Sequence, residues 1–152
     1  MKNFNAITHT HVWVLDHQEA LDFYVGKLGL EVKADYTRGG FRWLTVGVEG
    51  EAIPEITLDV PGPPVMDEKT AEQVRELVTK GAAGGALIFH TDDCRGTYES
   101  LRAQGVEFTQ EPVDRYGSVD AGFRDPSGNG WKLIEARQEP SREVSSSAGI
   151  RS

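Results

Sequence analysis

The same series of structural signals occurs twice in this chain, and the repeat constrains the fold more than any other feature. In each copy an alternating strand pattern ends at an aspartate suited to capping a helix, Asp16 in the first copy and Asp93 in the second. A short amphipathic helix pattern, a glycine and a new strand pattern follow, over 9–32 and 86–108. Because such repeats indicate related structural units, we expect two modules that face one another, with a pocket at the seam between them.

Length, charge and cysteine content favour a single domain in the cytoplasm. The 152 residues are enough to bury a core without a disulfide or metal framework, and the only cysteine, Cys94, suits a reducing compartment. The N-terminal segment does not resemble a signal peptide, and no apolar run approaches the roughly 20 residues that span a bilayer. The formal net charge of −8 disfavours nucleic acid and anionic membrane surfaces as partners.

Hydrophobic periodicity assigns the order β, α, β, β, β to both modules. The first module is predicted to contain a strand over 8–15, a helix over 17–28, and strands over 31–36, 41–48 and 55–60. The second is predicted to contain a strand over 86–91, a helix over 94–104, and strands over 106–110, 118–124 and 131–135.

An additional amphipathic helix is predicted over 69–80, followed by a glycine- and alanine-rich linker. We therefore expect one domain over 1–137, with module one at about 5–60 and module two at about 84–137. The polar, serine-rich tail over 138–152 is expected to be disordered, because it offers too little apolar surface to offset the entropy of ordering.

Particular residues in both modules resemble the vicinal oxygen chelate superfamily, which contains glyoxalase I, extradiol dioxygenases and bleomycin-resistance proteins. The resemblance spans about 7–136 and is greatest to small bacterial glyoxalase-like proteins of unassigned function. It rests on His9 placed seven residues before Asp16, and then on Ala20, Leu21, Phe23, Tyr24, Leu28, Gly29, Asp125, Pro126, Ser127, Gly128 and Asn129.

The resemblance implies an α+β fold in which two βαβββ modules curl their mixed sheet around a central cavity, with the helices outside. It also implies a homodimer. In this fold the first strand would direct His9, His11 and Trp13 into the cavity, whereas Val12 and Val14 would pack on the helices.

A divalent metal is the first chemistry that the resemblance suggests. Metal-dependent members place ligands at matching positions of both modules, and here these positions hold His9 and Glu55 in module one. In module two they hold Ala86 and Lys132, neither of which suits a cation. A non-standard site for zinc, nickel, manganese or iron would combine His9 and Glu55 with His11 or His90, and Glu55 is the candidate catalytic residue for moving protons.

Five residues are candidates for contacting a ligand directly: His11, Trp13, Trp43, His90 and Lys132. Trp43 shares a strand face with Phe41, but the pattern leaves open whether this face or the opposite one lines the cavity. Lys132 suits either an anionic ligand or an ion pair with Glu55. Cys94 is interpreted as an ordinary residue of a helix first turn.

Three functions remain in competition. The favoured interpretation is a small-molecule-binding protein with a degenerate metal site, which holds its ligand in the cavity between the modules. The alternative is a metal-dependent lyase, isomerase or dioxygenase with a non-standard site that uses His9 and Glu55. A structural or regulatory relative with a vestigial cavity is the third.

Overall fold

The computed structural model describes residues 2–136 and contains two βαβββ modules, each built on its own four-stranded mixed sheet. Module one comprises β1 His9–Trp13, α1 His17–Leu21, β2 Glu31–Arg38, β3 Phe41–Gly47 and β4 Glu55–Asp59. Helix α2, Glu68–Thr79, connects it to module two, which comprises β5 Ile88–His90, α3 Cys94–Ala103, β6 Glu107–Arg115, β7 Ser118–Arg124 and β8 Gly130–Ala136. The tail over 138–152 lies outside the described residues.

The two sheets have the same topology, with strand orders β1-β4-β3-β2 and β5-β8-β7-β6. The pairs β1–β4 and β5–β8 are parallel, and the remaining neighbours are antiparallel. The predicted α+β arrangement of two βαβββ modules is therefore confirmed. Within residues 2–136, no helix is long and apolar enough to cross a membrane.

Two strands differ in length from their predicted spans, and both differences have local causes. Strand β5 begins only at Ile88 because Gly84 and Gly85 adopt positive φ angles of 93° and 79°, which interrupt extended backbone. Strand β6 continues to Arg115 because a two-residue hairpin joins it to β7. The hairpin residues Tyr116 and Gly117 have φ angles of 47° and 96°, as a tight turn of this kind requires.

Both predicted capping aspartates begin their helices. Asp16 Oδ2 accepts the backbone N–H of Glu19 at 2.7 Å, and Asp93 Oδ1 accepts that of Gly96 at 2.9 Å. The first helix is α-helical only to Leu21 and continues as a π-helix over Asp22–Lys27. The N-caps thus preserve the duplication, although the helices after them differ.

Strand alternation separates a face of the module-one sheet that packs into the core from an open face that carries the more exposed side chains. Val12 of β1 and Val14 directly after the strand are buried in the core, whereas His9 and His11 on the other side are exposed. Strand β3 follows the same rule, since Leu44 is fully buried and its neighbour Trp43 contacts the His9 ring. The question left by the sequence is answered: Trp43 and Phe41, rather than Arg42 and Leu44, belong to the face that carries the histidines.

Hydrogen bonds of the turn over 125–129 join module two to module one, and we call those among Asp125, Tyr24 and Trp131 the lock. Asp125 Oδ1 accepts the backbone N–H groups of 127, 128 and 129 at 2.9–3.0 Å, while its Oδ2 accepts the Tyr24 hydroxyl at 2.6 Å. The Trp131 indole N–H donates to the same hydroxyl at 2.6 Å. Asn129 Nδ2 donates to the Trp13 carbonyl at 2.8 Å, so the turn also fixes the end of β1.

Candidate functional site

The open face of module one gathers most of the predicted site residues on three adjacent strands. Strand β1 contributes His9, His11 and Trp13, which pair in parallel register with Glu55, Thr57 and Asp59 of β4. Strand β3 contributes Phe41, Trp43 and Thr45, of which Thr45 lies opposite Thr57. Residues that are paired across neighbouring strands share a sheet face. We call these nine residues the module-one open face.

His9 and Glu55 approach each other at one end of this face. Their Nε2 and Oε1 atoms are 3.5 Å apart, and the buried Thr45 hydroxyl donates to the same carboxylate oxygen at 2.7 Å. The His9 ring lies 5.7 Å from the Trp43 ring. Glu55 is thus oriented by neighbours on two strands, while a good part of the His9 side chain stays exposed.

A second pair occupies the other end of the face. His11 Nε2 lies 2.9 Å from Asp59 Oδ2, and the His11 ring packs edge-on against Trp13 at 4.3 Å. Asp59 Oδ1 is buried and has no hydrogen-bond partner among the described residues. The Nε2 atom of His11 is therefore engaged by a carboxylate of its own end of the face.

Aromatic rings make much of the remaining module-one open face apolar and flat. Trp43 is half-buried between the rings of His9 and Phe41, with 6.4 Å between the Phe41 and Trp43 centroids. Aromatic side chains provide large, rigid contact area, and their faces attract both other rings and cations. This part of the sheet is suited to stacking against a planar ligand.

The corresponding face of module two has a different composition. Lys132 Nζ donates to Gln110 Oε1 at 2.9 Å and to Asp120 Oδ1 at 3.3 Å, and Arg115 Nε donates to Asp120 Oδ2 at 3.2 Å. The hydrogen bond from Gln110, together with Lys132 and Arg115, holds the pKa of Asp120 below its ordinary value. We call these four residues the module-two polar cluster. Of the two roles left open for Lys132, the ion pair is present, but its partner is Asp120 and not Glu55.

The strand register also corrects the equivalence between Glu55 and Lys132. Lys132 pairs with Ile88, which lies as far before Asp93 as His11 lies before Asp16. His11 pairs with Thr57, so Thr57 is the structural counterpart of Lys132. The counterpart of Glu55 falls on Gly130. The equivalence of Glu55 and Lys132 expected from the sequence is therefore wrong by two residues, because the turn over 48–54 is two residues longer than the turn over 125–129.

His90 does not join the other histidines. It lies at the end of β5 and lines the cavities between the modules, next to Phe89 and Val48. Cys94 is fully buried, its N–H donates to Glu135 Oε1 at 2.8 Å, and burial raises the pKa of its thiol. It therefore behaves as the ordinary first-turn residue that the sequence predicted.

The described residues do not assemble a complete metal site. Over residues 2–136, no three histidine, cysteine or carboxylate side chains come together in a way that would hold an ion. His9 and Glu55 supply two candidate ligands, but mononuclear sites generally use at least three protein ligands. The Nε2 atom of His11 contacts Asp59, and the module-two counterparts of His9 and Glu55 are Ala86 and Gly130, which cannot serve as ligands.

The sequence did not identify Asp59, Gln110 and Arg115 as candidate site residues. Only Asp59 could have been found from the strand pattern. Asp59 shares the alternation of Glu55 and Thr57, so its face was predictable although its pairing with His11 was not. The contributions of Gln110 and Arg115 depend on two irregularities in the β6–β7 register, which no periodicity in the sequence indicates.

Comparison with known proteins places the chain in a family. The model of the Glyoxalase/Bleomycin resistance protein/Dioxygenase superfamily matches residues 6–133, and the chain therefore belongs to this superfamily. Among curated proteins it is similar to the uncharacterized protein YurT of Bacillus subtilis (strain 168). The two are 31% identical over 130 residues, which cover 85% of this chain and 98% of YurT.

Two solved structures are informative about the fold and its uses. The structure of UcmS2 is 44% identical, with a TM-score of 0.82 over 86% of this chain and 98% of that chain. TnmS3, described as an antibiotic binding protein from Streptomyces sp. CB03234, is 26% identical, with a TM-score of 0.70 over 90% of this chain and 99% of its own. Both confirm the glyoxalase-like fold.

Proposed function

We propose that this protein binds a small organic molecule on its open sheet faces and holds it without the usual metal chemistry of the superfamily. The observation that carries the proposal is the contrast between the faces: module one offers rings and carboxylates, whereas module two has Ala86 and Gly130 as the counterparts of His9 and Glu55, with an ion-paired Lys132 nearby. The similarity to TnmS3, whose description names antibiotic binding, supports the same interpretation.

The arrangement of side chains indicates the kind of ligand. Trp43, Trp13 and Phe41 favour a planar aromatic body, and Glu55 and Asp59 favour hydrogen-bond donors or a positive charge on it. The net charge of −8 acts in the same direction by attracting cations over longer distances.

A homodimer belongs to this proposal. About 38–48% of the His9, His11 and Lys132 side chains is exposed in the single chain, so the open faces are not enclosed by it. Ligand sites generally bury most of the ligand surface. A second copy covering these faces would complete the enclosure, and sedimentation velocity across a concentration series measures whether it forms.

A direct test uses doxorubicin, a planar aromatic antibiotic that carries an ammonium group, with fluorescence anisotropy as the readout. We expect saturable binding that Trp43→Ala weakens. Tyr116→Ala, which removes an aromatic ring exposed at the hairpin tip, is the matched control and should bind as the parent does. Equal affinity of the parent and Trp43→Ala would contradict binding on the module-one open face.

The alternative function, a metal-dependent lyase, isomerase or dioxygenase, has one observation in its favour: His9 and Glu55 lie 3.5 Å apart and share an exposed surface. Elemental analysis of protein purified without chelator decides between the two. Near-stoichiometric zinc, nickel, manganese or iron that disappears in His9→Ala would overturn the metal-free proposal. Absence of metal, with no thermal shift when these ions are added, would eliminate the alternative.

A further inference from the structure

The duplication creates two equivalent seams between the modules, and they are built from different side chains. The first seam is the turn over 125–129 against β1 and the first helix, locked by Asp125, Tyr24 and Trp131. The second seam is the turn over 48–54 against β5 and α3.

Each lock residue has an apolar counterpart at the second seam. Val48 directly follows β3 as Asp125 directly follows β7, and Leu101 lies as far after Asp93 as Tyr24 lies after Asp16. Ile56 pairs with Val46 as Trp131 pairs with Phe123. The duplicated fold thus places Val48, Leu101 and Ile56 where the first seam has a carboxylate, a phenol and an indole.

Both seams border cavities, but charged side chains such as Lys27 and Arg124 line the cavity of about 320 Å³ at the first seam, whereas apolar side chains predominate at the second. Two adjoining cavities of about 360 and 450 Å³ share Val48, Phe89 and His90. Leu101 lines the smaller cavity and Ile56 the larger one. Cavities of this size fall within the roughly 300–1,000 Å³ that ligand pockets occupy. We call them together the seam cavity.

The lining of the seam cavity defines the chemistry that it accepts. Leucine, isoleucine, valine and phenylalanine side chains predominate, and no lysine or arginine of the described chain lines it. Glu49, Glu51 and His90 are its titratable groups. The Thr97 hydroxyl lies 2.9 Å from the Thr91 hydroxyl, so the two hydroxyls are paired with each other. An uncharged apolar molecule fits this lining, and an anion is disfavoured by the two glutamates.

We propose that the seam cavity is a second binding site, separate from the open faces, for a neutral apolar molecule such as a fused aromatic system or a short acyl chain. Its mouth is accessible, since Ile88 is 66% and Val48 51% exposed. Its inner wall is formed by Leu30, Leu133 and Phe123 from the helix-facing side of both modules. Occupation would add apolar contacts between the modules at the second seam, where Val48, Leu101 and Ile56 stand in place of the hydrogen-bonding residues of the first seam.

The test is a fluorescence titration of the full chain with N-phenyl-1-naphthylamine, a neutral apolar probe that brightens when it leaves water. We expect saturable binding with one probe per chain. Leu101→Trp, which fills the smaller cavity, should weaken binding at least about tenfold. Val48→Asp places a carboxylate at the exposed mouth with little risk to folding, and should weaken it by several-fold.

Two controls make the result specific to the seam. Trp43→Ala should bind the probe as the parent does, and Val48→Asp should bind doxorubicin as the parent does. Failure of doxorubicin binding alone would affect only the open-face proposal. Absence of saturable probe binding, or its loss in Trp43→Ala with retention in Leu101→Trp, would overturn the seam site. A monomer produced by Val48→Asp from a parent dimer would also overturn it, because the surface would then be an interface between copies.

Discussion

Module one and module two share strand order, register and helix caps, yet their open faces have little in common. Module one carries two histidine–carboxylate pairs among tryptophan and phenylalanine rings, whereas module two carries a lysine, an arginine and a glutamine around Asp120. Their shared features are the residues that build the elements, such as Asp16 and Asp93. The two modules thus share the helix caps and buried sheet faces that build the fold, whereas their open faces carry different side chains and can serve different chemistry.

The two seams between the modules also differ in the side chains that occupy equivalent positions. At one seam Asp125 organises five hydrogen bonds from the turn, Tyr24 and Asn129. At the other, Val48 borders a cavity. The modules are therefore joined by buried hydrogen bonds at the first seam and mainly by apolar side chains at the second, and substitutions at equivalent positions should have unequal effects.

The largest effect is expected from Asp125→Ala. Its carboxylate is buried and accepts five hydrogen bonds, so its removal leaves several buried donors without partners. We expect the free energy of unfolding to fall by about 3–5 kcal/mol. Val48→Ala, the equivalent change at the second seam, should cost about 1 kcal/mol or less because Val48 is half-exposed. Urea denaturation measures both, and equal losses would contradict the asymmetry.

Tyr24→Phe probes the same lock more gently. It removes the hydroxyl that donates to Asp125 and accepts from Trp131, and should lower the free energy of unfolding by about 1–3 kcal/mol. Tyr98→Phe is the control, since the Tyr98 ring packs on Phe108 and its hydroxyl has no part in the lock. A loss in Tyr98→Phe as large as in Tyr24→Phe would show that the lock is not the cause.

The lock should also make stability depend on alkaline pH. Burial and the nearby Asp125 carboxylate raise the pKa of Tyr24. A raised pKa keeps the native state protonated while the unfolded state ionises near pH 10, so stability is intact below that pH and declines above it, by about 1.4 kcal/mol per pH unit. Urea unfolding between pH 8 and 11 should show a steeper alkaline decline in the parent than in Tyr24→Phe. Parallel declines would mean that Tyr24 ionises normally.

Trp43→Ala tests the comparison between the open faces. Loss of its stacking surface should weaken doxorubicin binding by about three- to tenfold. Gln110→Ala, on the equivalent face of module two, should change the affinity less if the planar part of the ligand rests on module one. Anisotropy titrations of the two variants side by side distinguish the faces, and a greater loss in Gln110→Ala would assign the aromatic contact to module two.

The smallest effect is expected from Asp120→Asn. Its partners Lys132 and Arg115 are about half-exposed, so solvent screens the pairs and the loss should be about 1 kcal/mol at neutral pH. The pKa of Asp120 is lowered in the folded protein, which means that its contribution is present above the unfolded pKa and declines as the pH falls. The difference between parent and variant should therefore shrink between about pH 5 and pH 2. A pH-independent difference would identify packing as the cause.

Much of the fold was predictable because it depends on short-range patterns. Period-two alternation correctly placed Val12 and Val14 on one face and His9, His11 and Trp13 on the other. The two capping aspartates correctly marked where α1 and α3 begin. The candidate site was less predictable. The sequence-based alignment made Lys132 the counterpart of Glu55. The strand register makes it the counterpart of Thr57, because the turn over 48–54 is two residues longer than the turn over 125–129.

The sequence by itself determined the duplicated βαβββ architecture, since caps, turns and alternation act between neighbours along the chain. Only the tertiary structure decided which residues meet: Lys132 with Asp120, His11 with Asp59, His90 at a cavity, and Asp125 with a tyrosine about a hundred residues earlier. The physical reason is that these contacts join distant segments, and their geometry depends on turn lengths and strand register that no local pattern encodes.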